Sequence, residues 1–505
     1  MKALLMYRDR DFDTDREPPD NADDLIDDLG LDPVFDAMAA GDDYLQAIAR
    51  LAILTGPDDP DTIRYRQGVL RDCLAHPDVV REIYDVAMDA SAGEKKFYFG
   101  ILSTRNPEYT LHRSLQVMQM FMEHLRQLRR IRDDQHARFG SDGFTALFDT
   151  LARELSDEYF AQVDEHLKRL RFRNGVLISA RLGMALSGSD YILRRPLDER
   201  PGWWRRILGD RPEEYSFTVP ERDEAGARAL TELRGRGVNL VANALGHSAD
   251  HILSFFRLLR AELAFYLGAV NLHEALSAKQ APVCFPEPAE AASRTLTAEG
   301  LYDVALRLRT DDTVVGNDLA ADGTSLIMVT GANQGGKSTF LRSVGLAQLL
   351  MQAGCVVPAR RFAASVVPAV FTHYKREEDA TMESGKFDEE LKRMSGIADR
   401  IGRYCLLLCN ESFAATNEFE GSEIGRQIIG ALTEAGVRIV FVTHLYDLAR
   451  SLNDRHAETA VFLRAERLAD GRRSFRVMPA EPLSTSYGED LYEQIFGTGT
   501  DVAAQ

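Results

Sequence analysis

The chain has 505 residues, 45% of them hydrophobic and 27% charged, with a formal charge of −18 at neutral pH. That length exceeds one ordinary hydrophobic core, so several domains are expected, and no run of about 18 apolar residues offers a membrane-spanning helix. Five cysteines with no Cys-x-x-Cys pair argue against a disulfide framework or a zinc site and for a reducing, cytoplasmic setting.

Taken from the N-terminus, residues 1–30 read as an acidic segment. Asp9, Asp11, Asp13, Asp15, Asp23, Asp24, Asp27 and Asp28 all fall there, and the apolar stretch beginning at Met1 is too short for a signal peptide. Residues 31–290 read as a mainly α-helical region. Leu45, Ile48, Ala49, Leu51 and Ala52 recur at helical spacing, as do Leu115, Val117, Met118, Phe121, Met122 and Leu125. The pattern changes at 175–225. Gly175 to Ala180 and Tyr191 to Leu193 look like strands around the breaker Ser187-Gly188-Ser189-Asp190, and a Pro-, Gly-, Arg- and Glu-rich stretch beyond them predicts an exposed excursion. Helix returns over Val238 to Ala275, and Pro282, Pro286 and Pro288 predict a linker or a domain boundary.

From 291 to 505 strand and helix signals alternate. Leu326–Thr330, Tyr404–Cys409 and Arg438–Thr443 are continuous apolar runs of the kind found in parallel strands covered on both faces. This predicts an α/β domain with its ligand at the carboxyl ends of the strands. Cys405 and Cys409 lie in one such run and read as small core residues.

The first run leads into Gly331-Ala332-Asn333-Gln334-Gly335-Gly336-Lys337-Ser338-Thr339, which fits G-x-x-x-x-G-K-[ST]. In such a P-loop, backbone N–H groups freed by Gly331, Gly335 and Gly336, with Asn333 and Thr339 beside them, turn toward phosphates. Lys337 reaches the β- and γ-phosphates and the Ser338 hydroxyl ligates Mg²⁺, so ATP with Mg²⁺ is the expected ligand pair. The second run ends in Asn410-Glu411 and resembles a Walker B strand with Asn in place of Asp. Glu411 is then the candidate general base and Asn410 a neutral partner for Mg²⁺-bound water, which predicts weak Mg²⁺ affinity or slow turnover. His444, after the third run, is placed to contact a γ-phosphate. Ser384-Gly385-Lys386 opens an amphipathic helix, and alone reads equally as an anion-binding N-terminus or a plain cap.

Together these segments resemble the MutS mismatch-repair family of ABC-type ATPases, most closely over about 310–495. Val314-Val315-Gly316-Asn317-Asp318-Leu319, the phosphate loop, Gly354 to Ala359, Asn410 to Gly421, Thr443-His444-Leu445-Tyr446-Asp447-Leu448 and Ser486-Tyr487-Gly488 carry the likeness. The resemblance implies a helical core and lever domain followed by an ABC-type ATPase domain, and a homodimer joined through the ATPase domains with two composite sites. Lys337, Ser338, Glu411 and His444 would act in cis, while Ser384, Gly385 and Lys386 would approach the partner's γ-phosphate. Asn410 departs from the family's Asp, and Val314 stands where relatives often place an adenine-stacking aromatic. The family's N-terminal mismatch-reading domain has no counterpart here, since Phe285-Pro286-Glu287 offers the right letters in a Pro-rich setting only.

Three basic stretches are candidates for DNA phosphates: Arg126, Arg129, Arg130 and Arg132; Lys168, Arg169, Arg171 and Arg173; and Arg194, Arg195, Arg200, Arg205 and Arg206 with Trp203-Trp204. The expectation is an ATPase that clamps mismatched, branched or distorted duplex. The rival is an ATP-driven scaffold without a DNA role, which the acidic balance favours.

Overall fold

The computed structural model describes residues 1–98, 107–172, 175–182, 188–194, 215–220, 222–376, 385–456, 459–468 and 472–483. Four helices open the chain: α1 (Ala22–Leu29), α2 (Asp32–Ala39), α3 (Asp43–Leu54) and α4 (Pro60–Ala75). Their starts are written locally. The Asp42 carboxylate accepts the N–H groups of Tyr44 and Leu45, and Asp59 accepts those of Asp61 and Thr62 with Pro60 at the first helical position. Then follow α5 (Pro77–Tyr98), α6 (Pro107–Gln135), α7 (Asp142–Glu154) and α8 (Asp157–Arg169), the antiparallel hairpin of β1 (Leu177–Leu182) and β2 (Gly188–Arg194), and the long α9 (Glu224–Ala278).

Two compact units emerge. The first takes residues 1–3, 81–139 and 145–260, and the second takes 4–80, 140–144 and 261–505. Residues 4–80 and 261–290, grouped by sequence with the acidic segment and the helical region, therefore pack with the α/β elements. The reason is long-range. Glu262 of α9 accepts the N–H groups of Leu5 (2.6 Å), Met6 (3.3 Å) and Phe12 (2.8 Å), and the Tyr266 hydroxyl donates to Leu5 O. The Asn21 amide likewise donates to Val370 O, seating the start of α1 on the sheet described next. The first unit is a helical cluster centred on Phe121, Phe255 and Phe256 of α6 and α9.

The rest of the second unit carries β3 (Glu287–Ala289), β4 (Leu296–Leu301), α10 (Val304–Arg309), β5 (Asn317–Ala320), β6 (Leu326–Gly331), α11 (Lys337–Ala353), β7 (Arg361–Ser365) and β8 (Val370–Tyr374). After these come α12 (Lys386–Ala398), β9 (Leu406–Asn410), α13 (Glu418–Glu434), β10 (Arg438–Val442), α14 (Tyr446–His456), β11 (Ala460–Arg467) and β12 (Arg473–Pro479). A six-stranded sheet runs β12-β11-β6-β10-β9-β8, parallel except for β12. Its central strands are buried along their length, as their unbroken apolar sequences demand. Cys405 and Cys409 are free and buried in the core beside Phe371, Leu407 and Phe441.

The Pro-rich stretch is not a linker. Pro288 lies in β3, at the edge of a second sheet ordered β3-β7-β4-β5, where its missing N–H costs no ladder bond on the open side. Phe285 lies under the Arg71 guanidinium, 4.2 Å from its ring centre, and Pro286 O accepts from Gln67, so this segment is packed against α4. Among the described residues no helix is long and apolar enough to cross a membrane.

Candidate nucleotide site

Register places the site. In the sheet Val442 of β10 pairs with Asn410 of β9 on one side and Val329 of β6 on the other, so β9 and β10 end level and β6 runs two residues further, to Gly331. The residues just beyond those ends, the Gly331 loop, Glu411 and His444, therefore meet at one edge.

The loop between β6 and α11 is held open by glycine. Gly331 and Gly336 have φ of 108° and 90°; a Cβ on Gly331 would come within 2.9 Å of Ala465 N, and one on Gly335 within 2.8 Å of Ala332 O. Lys337 is buried at 5% exposure, its ammonium donating to Gly331 O (2.9 Å) and Ala332 O (3.2 Å) and lying 4.0 Å from Glu411 Oε1. Burial lowers its pKa from the usual lysine value, with the Glu411 carboxylate opposing that shift. The Ser338 hydroxyl donates to Asn410 Oδ1 at 2.8 Å, joining the two residues expected at the Mg²⁺.

Glu411 itself has a left-handed φ of 56°, and its N–H donates to Val442 O, which turns its side chain across the edge toward His444. His444 Nδ1 lies 2.5 Å from Glu411 Oε2 and the His444 N–H 3.2 Å from the same oxygen. That contact raises the histidine pKa above its ordinary value. Lys337, Ser338, Asn410, Glu411 and His444 thus converge.

A cavity of about 480 Å³ opens beside them. Residues 333–339 and Glu411 form one wall; Leu306, Val314, Val315 and Phe475 are among those forming the other. The parts fit a nucleoside triphosphate: an anion cradle of backbone N–H groups at a helix start, a lysine within it and an apolar wall beyond. The oxygens of Ser338 and Asn410 suit a hard cation that keeps most of its water. Among the described residues no cluster of three His, Cys, Asp or Glu side chains forms a protein-only metal cage.

Sequence reasoning missed Phe475, because β12 lies more than a hundred residues beyond the loop and joins this sheet by pairing with β11. It also missed Glu390 and His373, buried behind Glu411. Of the trans candidates, Gly385 caps α12 with extended backbone and Lys386 is its first residue, while Ser384 lies outside the described residues. Arg195, Trp203, Trp204, Arg205 and Arg206 are also outside them, as is Ser486-Tyr487-Gly488. Arg194, exposed on β2, donates to Ser179 Oγ. In the other basic stretches, Arg126 pairs with Asp164, Arg129 with Asp133 and Asp157, Arg132 with Asp133, and Arg169 with Glu165.

A parallel α/β domain with a glycine loop, a lysine and a carboxylate at the carboxyl edge of its sheet is the class that fold and site define. Residues 327–494 match the family described as MutS domain V, and residues 58–279 match the MutS2 N-terminal domain. The chain belongs to the MutS family. The DNA mismatch repair protein MutS of Chlorobium phaeovibrioides is 34% identical over 178 residues, 35% of this chain and 20% of that protein. That of Synechococcus sp. (strain JA-2-3B'a(2-13)) is 30% identical over 243 residues, 46% of this chain and 27% of the relative. MutS protein homolog 4 of Mus musculus is 27% identical over 150 residues, 30% and 16% of the two chains. The matched stretches thus span about a quarter or less of these curated relatives.

Proposed function

We propose that this chain is an ATP-dependent DNA-binding protein of the MutS type, in which ATP hydrolysis drives clamping of mismatched, branched or distorted duplex. The single observation that carries the reading is the convergence of Lys337, Ser338, Asn410, Glu411 and His444 on one sheet edge. Lys337 and the loop amides hold the β- and γ-phosphates. Ser338 and Asn410 would hold Mg²⁺, which would supply positive charge beside the phosphates. Glu411 orients the attacking water and accepts its proton, and His444 reports on the γ-phosphate. A homodimer of ATPase domains would bring Ser384, Gly385 and Lys386 of one protomer to its partner's nucleotide. Binding shifts such a dimer toward closure only in so far as ATP favours the closed state. The setting is cytoplasmic.

DNA contact falls to the third basic stretch, Arg194, Arg195, Trp203, Trp204, Arg205 and Arg206, because several arginines of the other two are engaged by carboxylates. That same engagement favours the rival scaffold reading. Fluorescence anisotropy with homoduplex, mismatched duplex and a four-way junction, with and without ATP–Mg²⁺ at two salt concentrations, separates the two. Salt-sensitive, nucleotide-dependent preference for one structure is the expected result. Equal absence of binding to all three would leave a scaffold ATPase.

A further inference from the structure

Behind Glu411 lies a polar network outside the roles given above. α12, capped by Gly385, splits its acids: Asp388 pairs with Lys392 at the surface, whereas Glu390 turns inward and is only 7% exposed. Its Oε1 accepts the backbone N–H of Phe413 at 2.5 Å. Its main-chain oxygen lies 3.1 Å from Nε2 of His373, a fully buried residue of β8. The Ser412 hydroxyl sits 2.7 Å from Nδ1 of that imidazole and 2.8 Å from the His373 carbonyl.

The proton positions follow from donor arithmetic. Burial holds His373 near pKa 4, so the ring is neutral and has one N–H. A carbonyl only accepts, so Nε2 carries that proton toward Glu390 O, and the single Ser412 hydroxyl proton is shared between the His373 carbonyl and Nδ1. Ser412 and Phe413 are thus fixed from two other elements, β8 and α12.

The segment requires such fixing. Glu411 and Phe413, neither of them glycine, have φ of 56° and 65°, a conformation that persists only where surroundings over-determine it. The Phe413 ring is buried near His373 and Phe441, with ring centres 5.7 and 6.4 Å away, and its carbonyl lies 2.3 Å from where a Cβ on Gly421 would be. Of these restraints the Glu390 carboxylate is the one that grips the backbone N–H two residues beyond the candidate base.

We infer that Glu390 is a positioning residue for hydrolysis, tying α12 to the left-handed segment that aims Glu411. The inference rests on the ATPase reading above. It makes the helix that starts at the trans candidates Gly385 and Lys386 a mechanical neighbour of the base, so a ligand docking at that helix start would act on Glu411 through Glu390.

The test is steady-state ATP hydrolysis by the full chain and by its E390A and E390Q variants, with ATP affinity from a fluorescent analogue and folding from thermal melts. For E390A, kcat is expected to fall on the order of 10- to 100-fold while nucleotide affinity stays within about threefold. E390Q keeps an oxygen that can accept from the Phe413 N–H and recovers most of the lost rate. Should E390A not fold, Ser412→Ala serves in its place, with the same kcat loss at unchanged affinity. Full activity in E390A, equal loss in E390A and E390Q, or a full rate in the Ser412→Ala protein would overturn the inference. Absence of hydrolysis in the unaltered chain would instead remove the ATPase reading itself.

Discussion

His444 Nδ1 lies 2.5 Å from Glu411 Oε2, and the other oxygen of that carboxylate, Oε1, lies 4.0 Å from Lys337 Nζ. One carboxylate therefore faces a lysine and an imidazole that the chain delivers from separate strand ends. The carboxylate raises the pKa of His444 and opposes the burial that lowers that of Lys337, so it favours the charged form of both its neighbours. A base held this way is oriented from two sides.

Glu411→Gln checks this directly. It keeps the shape of the side chain and removes its charge. ATP binding should persist while kcat falls by about two to three orders of magnitude, in the range of lost general-base catalysis. The His444 titration, followed by NMR of its ring proton, should move down toward the ordinary histidine range. An unmoved His444 would mean that the 2.5 Å contact does not exist in solution.

Asn410 offers Mg²⁺ a carbonyl oxygen that already accepts from Ser338, and no charge. Replacing it by Asp adds a carboxylate at the same point without changing volume. Asn410→Asp is expected to lower the Mg²⁺ concentration for half-maximal hydrolysis about tenfold, as one added charge-assisted contact allows. Equal Mg²⁺ curves for the two proteins would show that Asn410 does not face the cation.

Most of this edge is legible in the sequence because each part is local. The glycines of the loop, the apolar runs that become β6, β9 and β10, and Glu411 and His444 just past two of those runs are short-range signals. What lies behind the edge is not legible. Glu390 and Glu389 are adjacent acids in one helical stretch, and only the fold turns Glu390 onto Phe413. The start of the chain reads only as an acidic segment, yet Glu262, some 250 residues on, closes around Leu5, Met6 and Phe12. The same blindness made a linker of Pro282 to Pro288, since β3 exists only by pairing with β7.

His373 and Glu262 give the second unit two buried groups with opposite pH dependence. His373 falls from 6.5 to about 4 on folding. Because the unfolded chain binds the proton first, its contribution is complete above about pH 6.5 and is lost as pH falls toward 4. Glu262 rises from 4.5 to about 7, burial outweighing the three N–H groups it accepts. Here the folded chain binds the proton first, so its contribution is complete below about pH 4.5 and is lost as pH rises through 7. Between about pH 4.5 and 6.5 the two slopes oppose each other in the unaltered protein, and each shows by itself in a variant lacking the other. Between pH 6.5 and 5 the unfolded chain alone protonates His373, which costs the parent about 1.4 kcal/mol for each pH unit crossed. His373→Gln should therefore be destabilised at pH 7 and regain about 2 kcal/mol relative to the parent by pH 5. Glu262→Gln, left with one acceptor oxygen for three donors, should be destabilised most at pH 5 and regain ground toward pH 8. Urea unfolding at pH 5, 6, 7 and 8 reads both slopes. Parallel curves for parent and variants would mean that neither group changes its pKa on folding.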